Sequence, residues 1–182
     1  LLVMGGSRGA HRLNDLVSAA VIQIHKGGHR IRVIHLTGVA DEATIRKAYQ
    51  DAGVNAVVSA FEQDMAPIYA AADIAICRSG ASTCAELLDF AVPALQVPYP
   101  EATKDHQMVN ARAMEKAGAV DVVPERDLSL PWLTDYIVGC MQTPGRLARM
   151  SAASRSRAMQ SAAESLASLV IQVGNGEYGR TV

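Results

Sequence analysis

Four short segments of this chain carry residue types suited to binding a phosphorylated ligand. The clearest is Cys77 to Glu86, read Cys-Arg-Ser-Gly-Ala-Ser-Thr-Cys-Ala-Glu. It follows an apolar run, Ala72-Asp73-Ile74-Ala75-Ile76, and opens a helical pattern through Leu87, Leu88 and Phe90. A small-residue turn between strand and helix leaves backbone N–H groups unpaired beyond the strand's carboxyl end, where they attract anions, above all phosphate. Gly80 and Ala81 let a ligand approach the backbone, Ser79, Ser82 and Thr83 offer hydroxyls or a helix cap, and Cys84 and Ala85 complete the small-residue run. Glu86 admits two readings: the last residue of a capping box, Thr83-Cys84-Ala85-Glu86, or a carboxylate that holds a ribose diol. A carboxylate facing phosphate would repel it, so a ligand-binding Glu86 must face the sugar side of a nucleotide.

The other three segments are weaker alone. Gly5-Gly6-Ser7-Arg8-Gly9-Ala10 is a glycine-rich turn with G-G-x-x-G spacing, which misses the dinucleotide fingerprint G-x-G-x-x-G. It reads as a phosphate cradle or as a turn only. Phe61-Glu62-Gln63-Asp64-Met65 follows a strand-like run, so Phe61 could stack on a flat base while the loop backbone reads the base edge; alternatively Phe61 and Met65 staple the next helix start. Asp105-His106-Gln107 opens a helix with Asp105 as cap, which places two neutral hydrogen-bonding side chains suited to sugar hydroxyls in the first turn; the plainer reading of His106 is a polar first-turn residue.

The elements that must position these segments are legible from apolar periodicity. Strand-like runs occur at 1–4, 30–36, 55–60, 72–76, 92–98 and 119–123, and helical patterns fall between them, over 13–27, 41–52, 66–72, 83–90 and from 105. Alternation of this kind predicts an α/β fold, a Rossmann-like parallel sheet of six strands with helices on both faces, whose ligand lies beyond the strands' carboxyl ends. All four segments stand at such ends. A helical run follows, with Ser129-Leu130-Pro131 opening the first helix and further helices at 147–157 and 159–173. Arg146, Arg149, Arg155 and Arg157 make it locally basic, read as a solvated face rather than a membrane-binding one. The expected domain is 1–173, with 174–182 a disordered tail.

Seventeen basic against eighteen acidic residues exclude a general nucleic-acid binder. Cys77, Cys84 and Cys140 have no metal spacing and an odd count, which points to small buried residues in a reducing compartment. Neither a run of about 20 apolar residues nor a signal peptide is present, so a cytoplasmic protein is expected. The chain opens directly on a strand without an initiator methionine, which reads as a piece of a longer polypeptide.

Residues 1 to 123, in order and with matching gaps, resemble the carboxyl-terminal half of the MurG family, bacterial transferases that add N-acetylglucosamine to lipid I. The resemblance rests on Gly5 to Ala10, Phe61 to Met65, Arg78 to Thr83 with Glu86, Asp105-His106-Gln107 with Asn110-Ala111, and Glu115-Lys116-Ala117-Gly118-Ala119. It implies the GT-B architecture of two Rossmann-like domains, of which this is the one that binds UDP-N-acetylglucosamine. On that similarity Gly6, Ser7, Arg8 and Gly9 meet the diphosphate, and Phe61, Glu62 and Met65 meet uracil. Ser79 to Ala85 serve phosphates and sugar, Glu86 holds the ribose, and His106 with Gln107 reads N-acetylglucosamine. Arg8 stands where the family commonly has glutamine, and His106 where some members carry a second glutamine. The resemblance further implies inverting transfer without metal or cofactor, a general base and lipid I site in an amino-terminal domain, and peripheral attachment at the inner face of the cell membrane. Other enzymes of this architecture, a glycolipid transferase or a UDP-N-acetylglucosamine 2-epimerase, would share the nucleotide contacts and differ within 103–110. A non-catalytic nucleotide-binding subunit of a split transferase is the remaining alternative.

Overall fold

The computed structural model describes residues 1–5, 10–100, 102, 105–156 and 162–175. Six parallel strands, β1 (Leu2–Met4), β2 (Arg32–Leu36), β3 (Asn55–Ser59), β4 (Ala75–Cys77), β5 (Ala94–Gln96) and β6 (Val120–Val122), form one sheet in the order β3-β2-β1-β4-β5-β6. Between them run α1 (His11–Lys26), α2 (Glu42–Asp51), α3 (Met65–Ala70), α4 (Ala81–Asp89) and α5 (His106–Lys116). After β6 come a 3-10 turn (Glu125–Asp127), α6 (Leu130–Gln142), α7 (Arg146–Arg155) and α8 (Ala162–Gly174). The α/β fold with a six-stranded parallel sheet and additional carboxyl-terminal helices is therefore as expected.

Both faces are covered because alternate strand residues point to opposite sides. Val3, Ile76 and Leu95 pack with Leu13, Val17 and Val21 of α1, Tyr49 of α2 and Leu133 of α6. Leu2, Met4, Ala75, Cys77 and Ala94 pack with Tyr69 of α3, Leu87 of α4 and Met114 of α5. Three-residue strands suffice because β1, β4 and β5 are buried throughout and apolar apart from Gln96, while β6 is only partly buried.

Several boundaries differ from expectation. The fourth strand begins at Ala75 rather than Ala72, because the Ala71 and Ala72 amides close the last turn of α3 on Pro67 and Tyr69 carbonyls and pairing with β1 starts at Leu2↔Ala75. Asp105 stands at the start of α5 but in a left-handed conformation, φ 55°, and its side chain makes no cap bond. Ser129 caps α6 as its type predicts, accepting from the Trp132 amide at 3.4 Å. Arg149 and Arg155 are exposed, whereas Arg146 ties α7 to β6 through Asp121 at 2.7 Å and lies over the Tyr136 ring. Arg157 and residues 176–182 lie outside the described residues. Cys77, Cys84 and Cys140 are free and buried, and burial pushes each thiol's pKa up, which keeps them unreactive.

Candidate functional site

The strands end in one row. Register pairs Ser59 with Leu36, Leu36 with Met4, Met4 with Cys77, Cys77 with Gln96 and Gln96 with Val122. Everything that follows those residues therefore emerges along one edge, and the chain's direction reverses across the sheet between β1 and β4, where α/β sheets open a crevice. Of the four sequence-selected segments, 5–10 and 78–86 follow row residues directly, 61–65 follows Ser59 after one residue, and 103–107 follows Gln96 after six, with 103 and 104 outside the described residues. Gly5 must be glycine because a Cβ there would stand 2.3 Å from Ala10 Cβ, so the two ends of that segment are in contact. Gly6, Ser7, Arg8 and Gly9 lie outside the described residues.

Beside this, the β4 turn leads directly into a helix amino terminus. Helix α4 starts at Ala81, with Gly80 as its extended cap residue, and its first backbone bond is Cys84 N–H to Gly80 O at 2.9 Å. The amides of Ala81, Ser82 and Thr83 precede that bond and lie at the positive end of the helix. Ala81 and Ser82 are exposed, Thr83 and Gly80 half-buried, Ser79 and Cys84 buried, Ala85 exposed. This start position overturns the capping-box reading: Thr83 is the third residue of the helix and not its cap. The Glu86 carboxylate instead accepts a hydrogen bond from the Tyr69 hydroxyl at 2.7 Å and remains half-buried at the crevice side.

On the base side, Phe61 is 64% exposed, so no staple closes over it, while Met65 packs against the buried cluster that contains Tyr69. The staple position before the cap belongs to Gln63, because Asp64 caps α3 by accepting from the Ala66 amide at 3.3 Å. Glu62 folds onto its own loop and accepts from the Gln63 and Asp64 amides at 2.8 and 3.3 Å. Ser59 Oγ donates to the Phe61 carbonyl at 3.0 Å. The turn is thus tied by hydrogen bonds around an aromatic ring left uncovered.

Gln107 does more than its type announces. Its Oε1 accepts from the Ser79 amide at 3.3 Å and the Tyr99 amide at 3.0 Å, and its carbonyl accepts from Ser79 Oγ at 2.8 Å. Asn110 Nδ2 donates to the Ser79 carbonyl at 3.3 Å. Gln107 therefore clamps the β4 turn to the segment after β5, and only its amide nitrogen can donate to a ligand. His106 is exposed at the start of α5 beside it. Behind the turn, buried Arg78 donates to the Val97 and Pro98 carbonyls at 3.1 and 3.4 Å, pairs with Glu125 and lies over the Tyr99 ring.

A second polar chain, not anticipated from sequence, supports the first helix. His11 Nδ1 meets Asp41 Oδ1 at 2.8 Å, and Asp41 Oδ2 accepts from Asn14 at 2.7 Å. Asn14 also donates to the Thr37 carbonyl at 2.9 Å, and His35 joins Asn14 Oδ1 at 3.2 Å and the Tyr49 hydroxyl at 3.1 Å. The hydrogen bond to Asp41, with the Asp15 and Asp41 charges, raises the His11 pKa. Burial pushes the Asp41 pKa up, but hydrogen bonds from Asn14 and His11 and the nearby imidazoles outweigh it and leave it lowered. Burial lowers His35 to about 4, so it is neutral at pH 7.

Comparison with known proteins decides the family. Residues 1–166 match the glycosyltransferase family 28 C-terminal domain. The chain belongs to that family. It is 41% identical over 158 residues, 87% of its length, to the UDP-N-acetylglucosamine–N-acetylmuramyl-(pentapeptide) pyrophosphoryl-undecaprenol N-acetylglucosamine transferase of Hahella chejuensis, and covers 44% of that protein. It is 42% identical over 165 residues, 90% of its length, to the transferase of the same name from Syntrophotalea carbinolica, covering 46% of it. The chain thus spans about half the length of these curated relatives. Its fold superposes on the crystal structure of Acinetobacter baumannii MurG with a TM-score of 0.81 and 28% identity, over 94% of this chain and 51% of that one. Glycosyltransferase VinC in complex with dTDP, at 18% identity and a TM-score of 0.65 over 93% of this chain and 40% of that one, shares the fold. The GT-B relationship is therefore shared by sequence and fold.

Proposed function

We propose that this chain is the donor-binding half of an N-acetylglucosaminyltransferase of peptidoglycan synthesis, which holds UDP-N-acetylglucosamine for inverting transfer to lipid I. The observation that carries the proposal is the single row of strand ends. It gathers the β1 turn, an uncovered aromatic ring, a helix amino terminus and a carboxylate at one crevice, in a chain about 40% identical to transferases of that name. Uracil stacks on Phe61 above Glu62 and Met65, and Glu86 takes the ribose diol. The diphosphate lies between the Gly6, Ser7, Arg8 and Gly9 segment and the amides of Ala81 to Thr83. His106 and the Gln107 amide face the sugar.

In the reaction, the 4-hydroxyl oxygen of the acceptor's muramyl sugar attacks the anomeric carbon as that carbon's bond to the β-phosphate oxygen breaks, and UDP departs. The hydroxyl proton goes to a general base outside this chain. The α4 amides stabilise the charge that grows on the departing diphosphate, where fixed dipoles outperform reorienting water. The protein works peripherally at the cytoplasmic face of the membrane; among the described residues no helix is long and apolar enough to cross it.

The test is calorimetric titration with UDP, UDP-N-acetylglucosamine, UDP-glucose and NAD in metal-free buffer. Binding of UDP and its N-acetylglucosamine conjugate, weaker binding of UDP-glucose and none of NAD supports the proposal. Binding of NAD, or of UDP only with added metal, sinks it.

A further inference from the structure

Tyr69 stands on α3, the helix fed by the Phe61 to Asp64 turn, and its hydroxyl donates to Glu86 Oε2 across two helices. Its ring is 2% exposed and stacks on Phe90 at the carboxyl end of α4, with centroids 5.3 Å apart and planes 20° apart. The hydroxyl's other neighbour is Met4 Sδ at 3.7 Å, a weak acceptor, so Glu86 fixes the O–H direction. Burial, reinforced by the adjacent carboxylate, pushes the phenol's pKa up and keeps it a donor at every working pH. A glutamate side chain left to itself samples several rotamers, and ordering it on ligand binding costs free energy. Here one oxygen is already held from the core side. A carboxylate has about four acceptor positions, so roughly three remain for a vicinal diol.

We infer that Tyr69 is a positioning residue that aims the Glu86 carboxylate at the ribose and, through α3, joins the base-stacking turn and the diol-binding residue into one rigid unit. The inference rests on the nucleotide-sugar reading above and adds to it the residue that sets the preference for ribo- over deoxyribonucleotides. Tyr69→Phe deletes one hydroxyl and keeps the ring, its burial and its stack on Phe90, so the fold is retained and only the aim of the carboxylate changes.

The experiment measures Kd for UDP and for 2′,3′-dideoxy-UDP with the complete polypeptide that carries this chain. It compares the unaltered protein, Tyr69→Phe, Glu86→Gln and the double variant, with thermal melting of each. The unaltered protein is expected to favour UDP about tenfold or more, the worth of a hydrogen bond to a charged group. Tyr69→Phe is expected to lose about fivefold for UDP and nothing for the dideoxy nucleotide, and the double variant to match Glu86→Gln alone, as for residues acting through one another. Equal weakening of both nucleotides by Tyr69→Phe, unchanged UDP binding, or losses that multiply in the double variant overturn the inference while leaving the nucleotide site standing. Equal affinity of the unaltered protein for both nucleotides overturns it together with the ribose role of Glu86. No binding of either overturns the nucleotide reading as well.

Discussion

The two ends of the sheet are made from the same strands and helices yet present opposite surroundings. At the amino ends a groove is lined by Leu1, Ile31, Val57, Ile74 and Met141, with His25 of α1, Gly53 after α2 and Ala71 and Ala72 after α3 among its walls. Three helices thus bring their carboxyl ends, the negative poles, to that groove. At the other end α1, α3, α4 and α5 begin, so positive poles and unpaired amides face the crevice. The groove is an ample concavity, and concavity alone is the usual pointer to a ligand site. Helix polarity disfavours it for an anionic nucleotide, against the pull of Arg30 and Arg32 in its walls, because every crossover in a parallel sheet sends helix starts to the carboxyl edge.

Four substitutions or conditions can break or sharpen that contrast. The largest effect is expected from Gly5→Ala, whose new Cβ collides with Ala10 at the mouth of the β1 turn. It should cost about 2–3 kcal/mol of stability and weaken UDP binding in parallel, read by denaturant melts and calorimetry. Next is acid. His35 has a folded pKa of about 4 against an ordinary value of 6.5, so the unfolded chain binds the extra proton between those values. Stability should be complete above pH 6.5 and fall by about 2 kcal/mol on going down to pH 4.5, a slope that His35→Gln flattens. The raised His11 acts with the opposite sign, its contribution being present below pH 6.5 and lost as pH rises through its folded value.

A smaller and more diagnostic effect is expected from Ser82→Asp. A carboxylate in the first turn of α4 should stabilise the helix by about 0.5 kcal/mol while it repels a diphosphate by about 1 kcal/mol. Melting temperature should therefore rise while UDP affinity falls; unchanged UDP affinity would mean that the turn seats no anion. The smallest belongs to the groove. Val57 is 63% exposed there, and Val57→Thr should leave UDP affinity unchanged and stability within about 0.5 kcal/mol. A change in affinity would show that the two ends are not independent.

Much of the fold was legible because the strands are short runs dominated by apolar residues and the helices between them carry 3.6-period stripes, both local signals. The errors were also local in origin. The Thr-x-x-Glu pattern at 83–86 suggested a capping box, but the helix cap falls three residues earlier, since a chain leaving β4 at Cys77 turns at Gly80. Asp105 has the type of a cap and stands at the cap position, yet its left-handed backbone carries no cap bond. Phe61 looked able to staple a helix start, and the turn set by Asp64 leaves it outside.

The sequence by itself determined the class of the fold, the place of three of the four segments next to strand ends and the small-residue turn at a helix start. Apolar periodicity, glycine and short side chains act within a few residues of where they stand. Tertiary structure alone decided which polar side chains are occupied with one another and which are left to meet a ligand. Tyr69 reaches Glu86 across 17 residues, Gln107 reaches Ser79 across 28, and Asn14 reaches Asp41 across 27. Such pairings are set by the register that aligns six strand ends, and a hydrogen bond between distant residues leaves no periodic trace in the chain.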